Sequence, residues 1–295
     1  MRPKSGSGID VRSRVRYQLG MGRAQQAYTD RIALVTGAAS GMGAELCRQL
    51  VSHGARVVAT DIDETGLTRL AGELGPAVRT CKLDVRDAGS VADVVESVYS
   101  VEGTLDFVFN NAGIAVGGEL HECRADSLER IIAINLTGAT LVMHACLRRM
   151  VASGKGHIVN IASMWGLAPA VVQSAYAATK HGLVGMSLSV APEAADLGVR
   201  LTAVCPGYIR TGLFAAAELG GMDPSEAVER IPFRLMAVEE AVRHVLDGVA
   251  RGKLLVIFPY YVRIIWWIQR LSPKLMFWIG RAMVRRLRKR ARGPR

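Results

Sequence analysis

Short apolar runs alternate along the middle of the chain with longer amphipathic stretches. The short runs have the length and β-branched content of buried strands, whereas the longer stretches repeat their apolar residues at helical spacing. Two strands are expected within residues 31–61, and further strands over 77–83, 105–110, 156–163, 199–207 and 253–259. Strands that alternate with helices through short links predict an α/β fold. We therefore expect a doubly wound domain whose seven-stranded, mostly parallel sheet carries helices on both faces.

The distribution of charge divides the chain into three parts. The formal net charge is +11. Residues 263–295 contain eleven Lys and Arg and no acid, and residues 1–23 contain six Lys and Arg and one acid. The remainder of the chain therefore carries a net charge of −5. We interpret residues 1–29 as a basic, disordered N-terminal extension, with a targeting peptide as the alternative. They lack the apolar run of a secretory signal. Residues 30–259 form one large domain, and residues 260–295 form an aromatic, basic C-terminal extension.

The cysteines predict neither a metal site nor an oxidising compartment. They are far apart in sequence and form no CxxC pair or Cys/His cluster: Cys47, Cys81, Cys123, Cys146 and Cys205. We expect them to be reduced packing residues of a cytoplasmic protein, and we expect no metal.

A glycine-rich turn with Gly37, Gly41 and Gly43 follows the first strand. Such glycines let the backbone approach a pyrophosphate, and the helix that begins near Gly41 presents free N–H groups and the positive end of its dipole. Asp61 closes the second strand, where a carboxylate can accept hydrogen bonds from the adenosine ribose and would repel a 2′-phosphate. This arrangement favours NAD over NADP, with a simple turn between Asp61 and Asp63 as the alternative.

Other polar or small residues follow later strands. Asp84 follows the third strand, and the run from Asn110 to Gly113 follows the fourth. Ligands of parallel sheets bind beyond the carboxyl ends of the strands, so these residues are expected beside the same nucleotide.

Tyr176 and Lys180 lie one helical turn apart and share a face if their stretch is a helix. A neighbouring ammonium stabilises a phenolate, so we expect Lys180 to lower the pKa of Tyr176 from about 10 towards neutrality. Tyr176 would then act as a general acid or base. The alternative is a half-buried aromatic residue with no chemical role.

An ordered set of motifs gives the chain a family resemblance. TGAASGMG at 36–43, NNAG at 110–113, Asn135, Ser163, YAATK at 176–180 and PG at 206–207 occur in this order, with Ser163 thirteen residues before Tyr176. Together they resemble the short-chain dehydrogenase/reductase family from about residue 31 to residue 211. The resemblance implies a Rossmann-like, NAD(P)-binding catalytic domain over residues 30–259.

The resemblance implies a catalytic set of Asn135, Ser163, Tyr176 and Lys180. Tyr176 would exchange a proton with the substrate oxygen, and Ser163 would hold that oxygen by a second hydrogen bond. Lys180 would also bind the nicotinamide ribose, and Asn135 would anchor a water between Lys180 and solvent. The structural alternatives are a strand end for Ser163 and a backbone-bonded polar residue for Asn135.

The resemblance also implies which residues contact the cofactor, expected to be NAD and, less favoured, NADP. Ile209 would meet the nicotinamide ring, and Thr211 the carboxamide or a phosphate. In chain order the expected contacts are Gly37, Ser40, Gly41, Met42, Gly43, Asp61, Asp84, Val85, Asn111, Ala112, Gly113, Tyr176, Lys180, Pro206, Gly207, Ile209 and Thr211.

The activity so implied is the interconversion of an alcohol and a carbonyl by hydride transfer to or from NAD(P). Residues 208–230 are expected to form a mobile lid. Its apolar residues would line a substrate pocket or, alternatively, serve helix packing: Leu213, Phe214, Leu219 and Met222. We expect a lipophilic substrate, such as a steroid, a retinoid or a long-chain alcohol or ketone. The alternatives are a nucleotide-binding scaffold without turnover at a membrane and an NADPH-dependent carbonyl reductase.

The C-terminal extension lies outside the resemblance. Two helices are expected on either side of Pro273, and charges interrupt their apolar runs too often for a membrane-spanning helix. In the second helix one broad face is apolar, with Arg281, Arg285 and Arg288 opposite; this apolar face contains Leu275, Met276, Ile279, Met283 and Leu287. We expect peripheral contact with the inner face of a membrane, with packing on the domain or on a second subunit as the alternative. We expect no nucleic acid.

The resemblance further implies a homodimer or homotetramer. The helices around residues 124–150 and 174–197 would form its contacts.

Overall fold

The computed structural model describes residues 22, 25–213 and 233–291. Its sheet has the strand order β3-β2-β1-β4-β5-β6-β7, and every neighbouring pair is parallel. The expected doubly wound α/β fold is therefore confirmed. The strands are β1 (Ile32–Thr36), β2 (Arg56–Asp61), β3 (Val78–Lys82), β4 (Phe107–Asn110), β5 (Gly156–Ile161), β6 (Val199–Pro206) and β7 (Leu255–Phe258).

Helices follow the strands on both faces of the sheet. The described helices are α1 (Gly41–Ser52), α2 (Glu64–Leu74), α3 (Ala88–Glu102), α4 (Ala125–Ile132), α5 (Ala139–Ser153), α6 (Ser174–Ala195), α7 (Val238–Ala250), α8 (Tyr260–Leu271) and α9 (Pro273–Ala291), with short 3₁₀ turns at Gly75–Ala77, Leu120–Glu122 and Met164–Gly166.

Strand β1 shows why helices cover both faces. Its residues are all buried, and their side chains alternate between two apolar cores because successive side chains of a strand point to opposite faces. Ala33 and Val35 belong to the core under α1, α2 and α7, whereas Ile32 and Leu34 belong to the core under α3 and α5. A strand buried on both faces is apolar at nearly every position, and within β1 the polar exception is its last residue, Thr36.

Strand β1 is the point at which the strand order reverses: β2 and β3 lie on one side of it, and β4 to β7 lie on the other. This strand pairs with β2 on one side and with β4 on the other, so Val35 lies beside both Ala59 and Phe109. The connection that follows β1 and the connection that follows β4 therefore run towards opposite edges of the sheet. Their divergence opens a crevice at the carboxyl ends of these two strands. Residues that follow these strands meet at that crevice.

Residues 124–150, expected as one helix, are divided in the structure. A π-helical turn, Ala133–Gly138, separates α4 from α5. The stretch Ala125–Ser153 is long and apolar enough to cross a membrane by length and composition alone. Its residues Ile131, Val142 and Met150 are fully buried in the protein, which is typical of a core helix.

The packed body begins before residue 30, earlier than the expected boundary. Tyr28 is fully buried in the core, and its hydroxyl donates to the Leu246 carbonyl at 2.9 Å. Phe214, Leu219 and Met222 of the expected lid lie outside the described residues. Leu213 lies inside them and is half-buried against the cluster that contains Tyr176.

Candidate active site

A cavity of about 420 Å³ opens at the carboxyl ends of β1, β4, β5 and β6. The glycine turn forms one end of its wall, and residues 206–213 form another part. Every residue expected to contact the cofactor lies in the wall except Gly43, and the wall also includes Ser163. The fold therefore brings residues from widely separated motifs into one concave surface.

Two glycines of the turn have no room for a side chain. Gly37 has a φ of +66°, and a Cβ there would lie 2.8 Å from the Cα of Ala112. A Cβ at Gly43 would lie 1.9 Å from the Gly37 carbonyl oxygen. Gly43 is thus a packing residue that lets α1 approach the turn. It lies outside the described cavity wall, and its contact with the cofactor stays a prediction.

Hydrogen bonds join the glycine turn to the segment after β4. The Thr36 hydroxyl accepts from the backbone N–H groups of Asn111 and Ala112, both at 3.0 Å. In return the Asn111 side-chain amide donates to the carbonyls of Thr36 at 3.0 Å and Gly37 at 3.1 Å. These bonds fix the backbone of two wall segments relative to each other.

Asp61 faces this turn from the end of β2. Its carboxylate accepts from the N–H of Ala39 at 2.9 Å and from the N–H of Asp63 at 3.0 Å. Further along the wall, the Arg86 guanidinium donates to both carboxylate oxygens of Asp84 and lowers the pKa of that carboxyl. No motif in the sequence marked Arg86 as a wall residue.

The wall fits a dinucleotide. Gly37 and Gly41 hold the turn in left-handed backbone conformations that favour glycine. Helix α1 begins at Gly41, and its first N–H groups have no intrahelical acceptor and can bind phosphate oxygens. The Asp61 carboxylate is available for ribose hydroxyls.

Ser163, Tyr176 and Lys180 converge at the carboxyl end of β5. All three side chains are buried, and the Ser163 hydroxyl lies close enough to the Tyr176 phenol to lower the pKa of that phenol. The Lys180 ammonium donates to the Ile161 carbonyl at 2.9 Å and lies 5.7 Å from the centroid of the Tyr176 ring. Helix α6 holds Tyr176 and Lys180 on one face, as their spacing predicts.

The pKa of Tyr176 differs from the expectation. Burial raises it to about 12, and the nearby Ser163 hydroxyl offsets only part of this effect. Burial also lowers the pKa of Lys180 to about 8. The structure therefore does not show the expected fall of the Tyr176 pKa towards neutrality, because loss of water around the phenolate raises this pKa.

Asn135 lies behind the cavity wall, within the π-helical turn. Its side-chain oxygen accepts from the Ile114 N–H at 2.8 Å, and its amide donates to the Ile114 carbonyl at 2.9 Å. A Cβ at Gly113 would lie 3.2 Å from the Asn135 side-chain oxygen and 3.6 Å from the Lys180 nitrogen. Asn135 thus clamps the loop after β4, and its role in anchoring a water stays a prediction.

Several apolar wall residues carry no motif and were missed from the sequence. Trp165 lies two residues after Ser163, and Tyr208 directly follows Pro206 and Gly207; proximity to these motifs was the only available signal. Ile114 and Met164 belong to the same apolar part of the wall, together with Leu213, which the sequence analysis expected to line the pocket.

A series of aromatic rings connects this wall to the C-terminal extension. The Trp165 and Tyr208 rings meet edge to face at 6.2 Å, Tyr208 and Phe233 stack at 6.3 Å, and Phe233 and Tyr261 stack at 4.2 Å. The Tyr208 N–H donates to the Tyr261 hydroxyl at 3.1 Å. Helix α8 therefore supports the wall directly.

Comparisons with known proteins agree with this geometry. A family model described as short chain dehydrogenase matches residues 31–219. The cis-4-hydroxycyclohexanecarboxylate dehydrogenase of Sinomonas cyclohexanicum is 39% identical over 193 residues, which are 64% of this chain and 78% of that protein.

Solved structures show the same fold. A short-chain dehydrogenase from Sphingobium yanoikuyae in complex with NADPH matches with a TM-score of 0.72 and 30% identity, over 84% of this chain and 94% of that one. A short chain dehydrogenase/reductase from Burkholderia phymatum in complex with NAD matches with a TM-score of 0.77 over 84% of this chain and 95% of that one. Its identity of 22% limits that likeness to the fold.

Proposed function

Since the chain belongs to the short-chain dehydrogenase family and is an NAD(P)-dependent oxidoreductase of CH–OH donors, we propose that its cofactor is NAD and its substrate a lipophilic alcohol or ketone. The observation that carries the catalytic part is the buried group of Ser163, Tyr176 and Lys180 in the same cavity as the glycine turn. A scaffold without turnover has no physical need for this group.

Asp61 supports NAD over NADP. Two backbone N–H groups hold its carboxylate in the cavity wall, where its negative charge would repel a 2′-phosphate. Arg86, a cation of the same wall, is already paired with Asp84. Among the solved relatives, one holds NAD and another NADPH, so the preference rests on Asp61.

The wall around Tyr176 supports a lipophilic substrate. Trp165, Tyr208, Ile114 and Leu213 present apolar surface beside the phenol, and apolar walls favour the transfer of apolar ligands from water. The relative from Sinomonas cyclohexanicum is named for an alcohol on a cyclohexane ring that also carries a carboxylate, so it supports a ring alcohol and not the absence of charge.

The pKa values suit proton donation by Tyr176. With a pKa of about 12, the phenol carries its proton at neutral pH and can give it to a carbonyl oxygen. Ser163 can donate a second hydrogen bond where negative charge develops on that oxygen. The bound cofactor supplies the hydride to the carbonyl carbon in reduction and accepts it in oxidation. Reduction thus adds one hydride and the Tyr176 proton, and it yields the alcohol.

Replacement of Tyr176 with Phe tests the catalytic proposal. We expect turnover of a hydrophobic alcohol with NAD to fall about 10³-fold, because the proton donor and acceptor is removed. The dissociation constant for NAD should change less than threefold, or about 0.6 kcal/mol. If Tyr176→Phe keeps full turnover, or if the native protein turns over no alcohol or ketone, the catalytic proposal is wrong.

One binding measurement and one kinetic measurement test the cofactor preference and the substrate class. We expect NAD to bind at least tenfold more tightly than NADP, since Asp61 opposes the extra phosphate. In a panel of alcohols, kcat/KM should rise with hydrocarbon size. Equal affinities for NAD and NADP would contradict the proposed preference for NAD. Turnover confined to small polar alcohols would contradict the proposal of a lipophilic substrate.

A further inference from the structure

Helices α8 and α9 rest on the protein with one face only. In α8, Val262 is fully buried, and Ile265 and Trp266 pack against the core cluster that contains Met164. The half-buried positions of α9 follow helical spacing: Met276, Gly280, Val284 and Leu287. The inner faces of both helices are therefore occupied by the body of the protein.

Two contacts hold α9 against the body of the protein. A Cβ at Gly280 would lie 3.0 Å from the side chain of Val171, so the α9 backbone approaches this loop closely. The Arg288 guanidinium donates to the Glu119 carboxylate at 2.8 Å. These contacts fix which face of α9 points away from the protein.

The outer face of α8 is an exposed apolar stripe. Tyr260, Ile264, Trp267 and Leu271 occupy positions i, i+4, i+7 and i+11, and their exposed fractions are 78%, 51%, 55% and 78%. Helix α9 also exposes apolar side chains, among them Leu275, Trp278 and Ile279, each 49% exposed. Single exposed apolar residues are common, but so many along two helices indicate a partner.

Positive charge accompanies the stripe. Residues 260–291 contain nine Lys and Arg and no acid. Within the part of the chain that the structure describes, Arg288 is the residue of this segment that pairs with a carboxylate. Arg270 lies 5.4 Å from the Trp266 ring and Arg281 lies 4.9 Å from the Trp278 ring, so these guanidinium groups border the aromatic surface.

We propose that the outer face of α8 and α9 docks on the surface of a membrane that contains anionic lipids. The apolar stripe can enter the boundary between headgroups and acyl chains, while the Lys and Arg side chains contact lipid phosphates. Trp rings and snorkelling Arg side chains suit this boundary because each joins an apolar body to a polar end. The 12 residues of α8 extend only about 18 Å, too short to span a bilayer, so the helix lies along the surface.

The charge argues against a second copy of the chain as the partner. A two-fold interface through this face would place the same unbalanced positive charge on both sides, and like charges across an interface weaken association. Nucleic acid would satisfy the positive charge but would leave the aliphatic side chains of this face, Ile264, Leu271 and Ile279, exposed to water.

Vesicle flotation tests the proposal with the full chain. The probes are vesicles of phosphatidylcholine alone and vesicles of phosphatidylcholine mixed with phosphatidylglycerol. We expect the mixed vesicles to bind the protein at least tenfold more tightly, with a loss of affinity as salt rises. Tryptophan emission should shift to shorter wavelength on binding.

Variants separate the apolar and basic contributions. Trp267→Ser with Leu271→Ser should weaken binding to the mixed vesicles at least tenfold, because less apolar surface enters the lipid. Arg285→Gln with Arg286→Gln should weaken it roughly fivefold per residue. Val101→Ser with Leu197→Ser is the matched control, since these residues are 64% and 49% exposed on the body, and it should bind as the native protein does.

The membrane proposal does not depend on the proposed substrate, because lipid binding is measured without turnover. Thermal unfolding and NAD binding should be unchanged in every variant, which excludes misfolding as the cause. Three results would overturn the proposal: no binding to mixed vesicles, an equal loss in the control variant, or a sedimentation experiment in which Trp267→Ser with Leu271→Ser dissociates an oligomer. Displacement from vesicles by an oligonucleotide at matched salt would assign the face to nucleic acid instead.

Discussion

The two sides of the cavity are built from different parts of the protein. The cofactor side consists mainly of backbone from the glycine turn and from strand ends, joined by the hydrogen bonds of Thr36 and Asn111. The substrate side consists of side chains such as Trp165 and Tyr208, and its support includes Tyr261 from a helix beyond the last strand.

The use of backbone on one side and of side chains on the other affects how many amino-acid substitutions each side tolerates. A wall made of backbone depends on the absence of side chains, as the close approaches at Gly37 and Gly43 show, so it tolerates little substitution. A wall made of side chains can change shape when a distant element changes. We therefore expect one side to be common to the family and the other to determine what this chain accepts.

Lys180 lies between the two sides, and its removal should have the largest effect. Lys180→Met should lower kcat/KM for carbonyl reduction roughly 10³-fold, because it removes the cation beside Tyr176. The pH profile is a second readout. With a pKa of about 8, Lys180 loses its charge as pH rises through that value, whereas Tyr176 keeps its proton up to about 12. The native kcat/KM should therefore be level below pH of about 8 and fall above it.

Lys180→Arg serves as the control for charge. A guanidinium stays protonated at this pH, so the variant should keep some activity and lose the fall near pH 8. If the variant shows the same fall, a different group causes it.

On the cofactor side, Gly43→Ala should have the next largest effect. Its new Cβ would lie 1.9 Å from the Gly37 carbonyl oxygen, and backbone on both sides must move. We expect the free energy of unfolding to fall by about 3 kcal/mol and NAD affinity to fall about 100-fold. Differential scanning calorimetry and NAD titration measure the two effects.

Gly72→Ala is the matched control, because nothing lies within 4 Å of its Cβ position in α2. It should keep NAD affinity and slightly raise the free energy of unfolding, since Ala favours a helix over Gly. Equal losses of NAD affinity in the two variants would show that the close approach at Gly43 is unimportant.

A smaller effect is expected at Asp61. Asp61→Asn removes the negative charge but keeps an oxygen that can accept a backbone N–H, so the fold should be preserved. The ratio of NADP to NAD affinity should rise about tenfold, which titration of each cofactor measures. Asp63→Asn is the control, because Asn can also cap α2 and Asp63 lies outside the described cavity wall. If the ratio of NADP affinity to NAD affinity is unchanged in Asp61→Asn, the charge of Asp61 does not cause the cofactor preference.

The smallest effect tests the support of the substrate side. Tyr261→Phe removes the acceptor of the Tyr208 N–H and keeps the ring that stacks on Phe233. We expect KM for a bulky alcohol to rise roughly fivefold, or about 1 kcal/mol, with NAD affinity unchanged. Tyr260→Phe is the control, because Tyr260 is 78% exposed. If the two variants behave alike, α8 does not influence the substrate side.

Most of the fold was predictable because it depends on short-range patterns. The apolar runs predicted seven strands, the glycine turn predicted its place between β1 and α1, and the spacing of Tyr176 and Lys180 predicted their shared face on α6. The π-helical turn at Asn135 was not predictable, because the helical pattern continues through it and the bonds to Ile114 that accompany it come from a distant loop.

The sequence by itself determined the order of the motifs along the chain, the backbone freedom of the glycine turn and the chemical groups available for catalysis, since each depends on residue type and on neighbours a few positions away. The tertiary structure decided the raised pKa of Tyr176, the side-chain wall around it and which face of α9 stays open to solvent. The physical reason is that burial depends on contacts between elements far apart in the chain, and burial sets both the cost of a charge and the exposure of an apolar face.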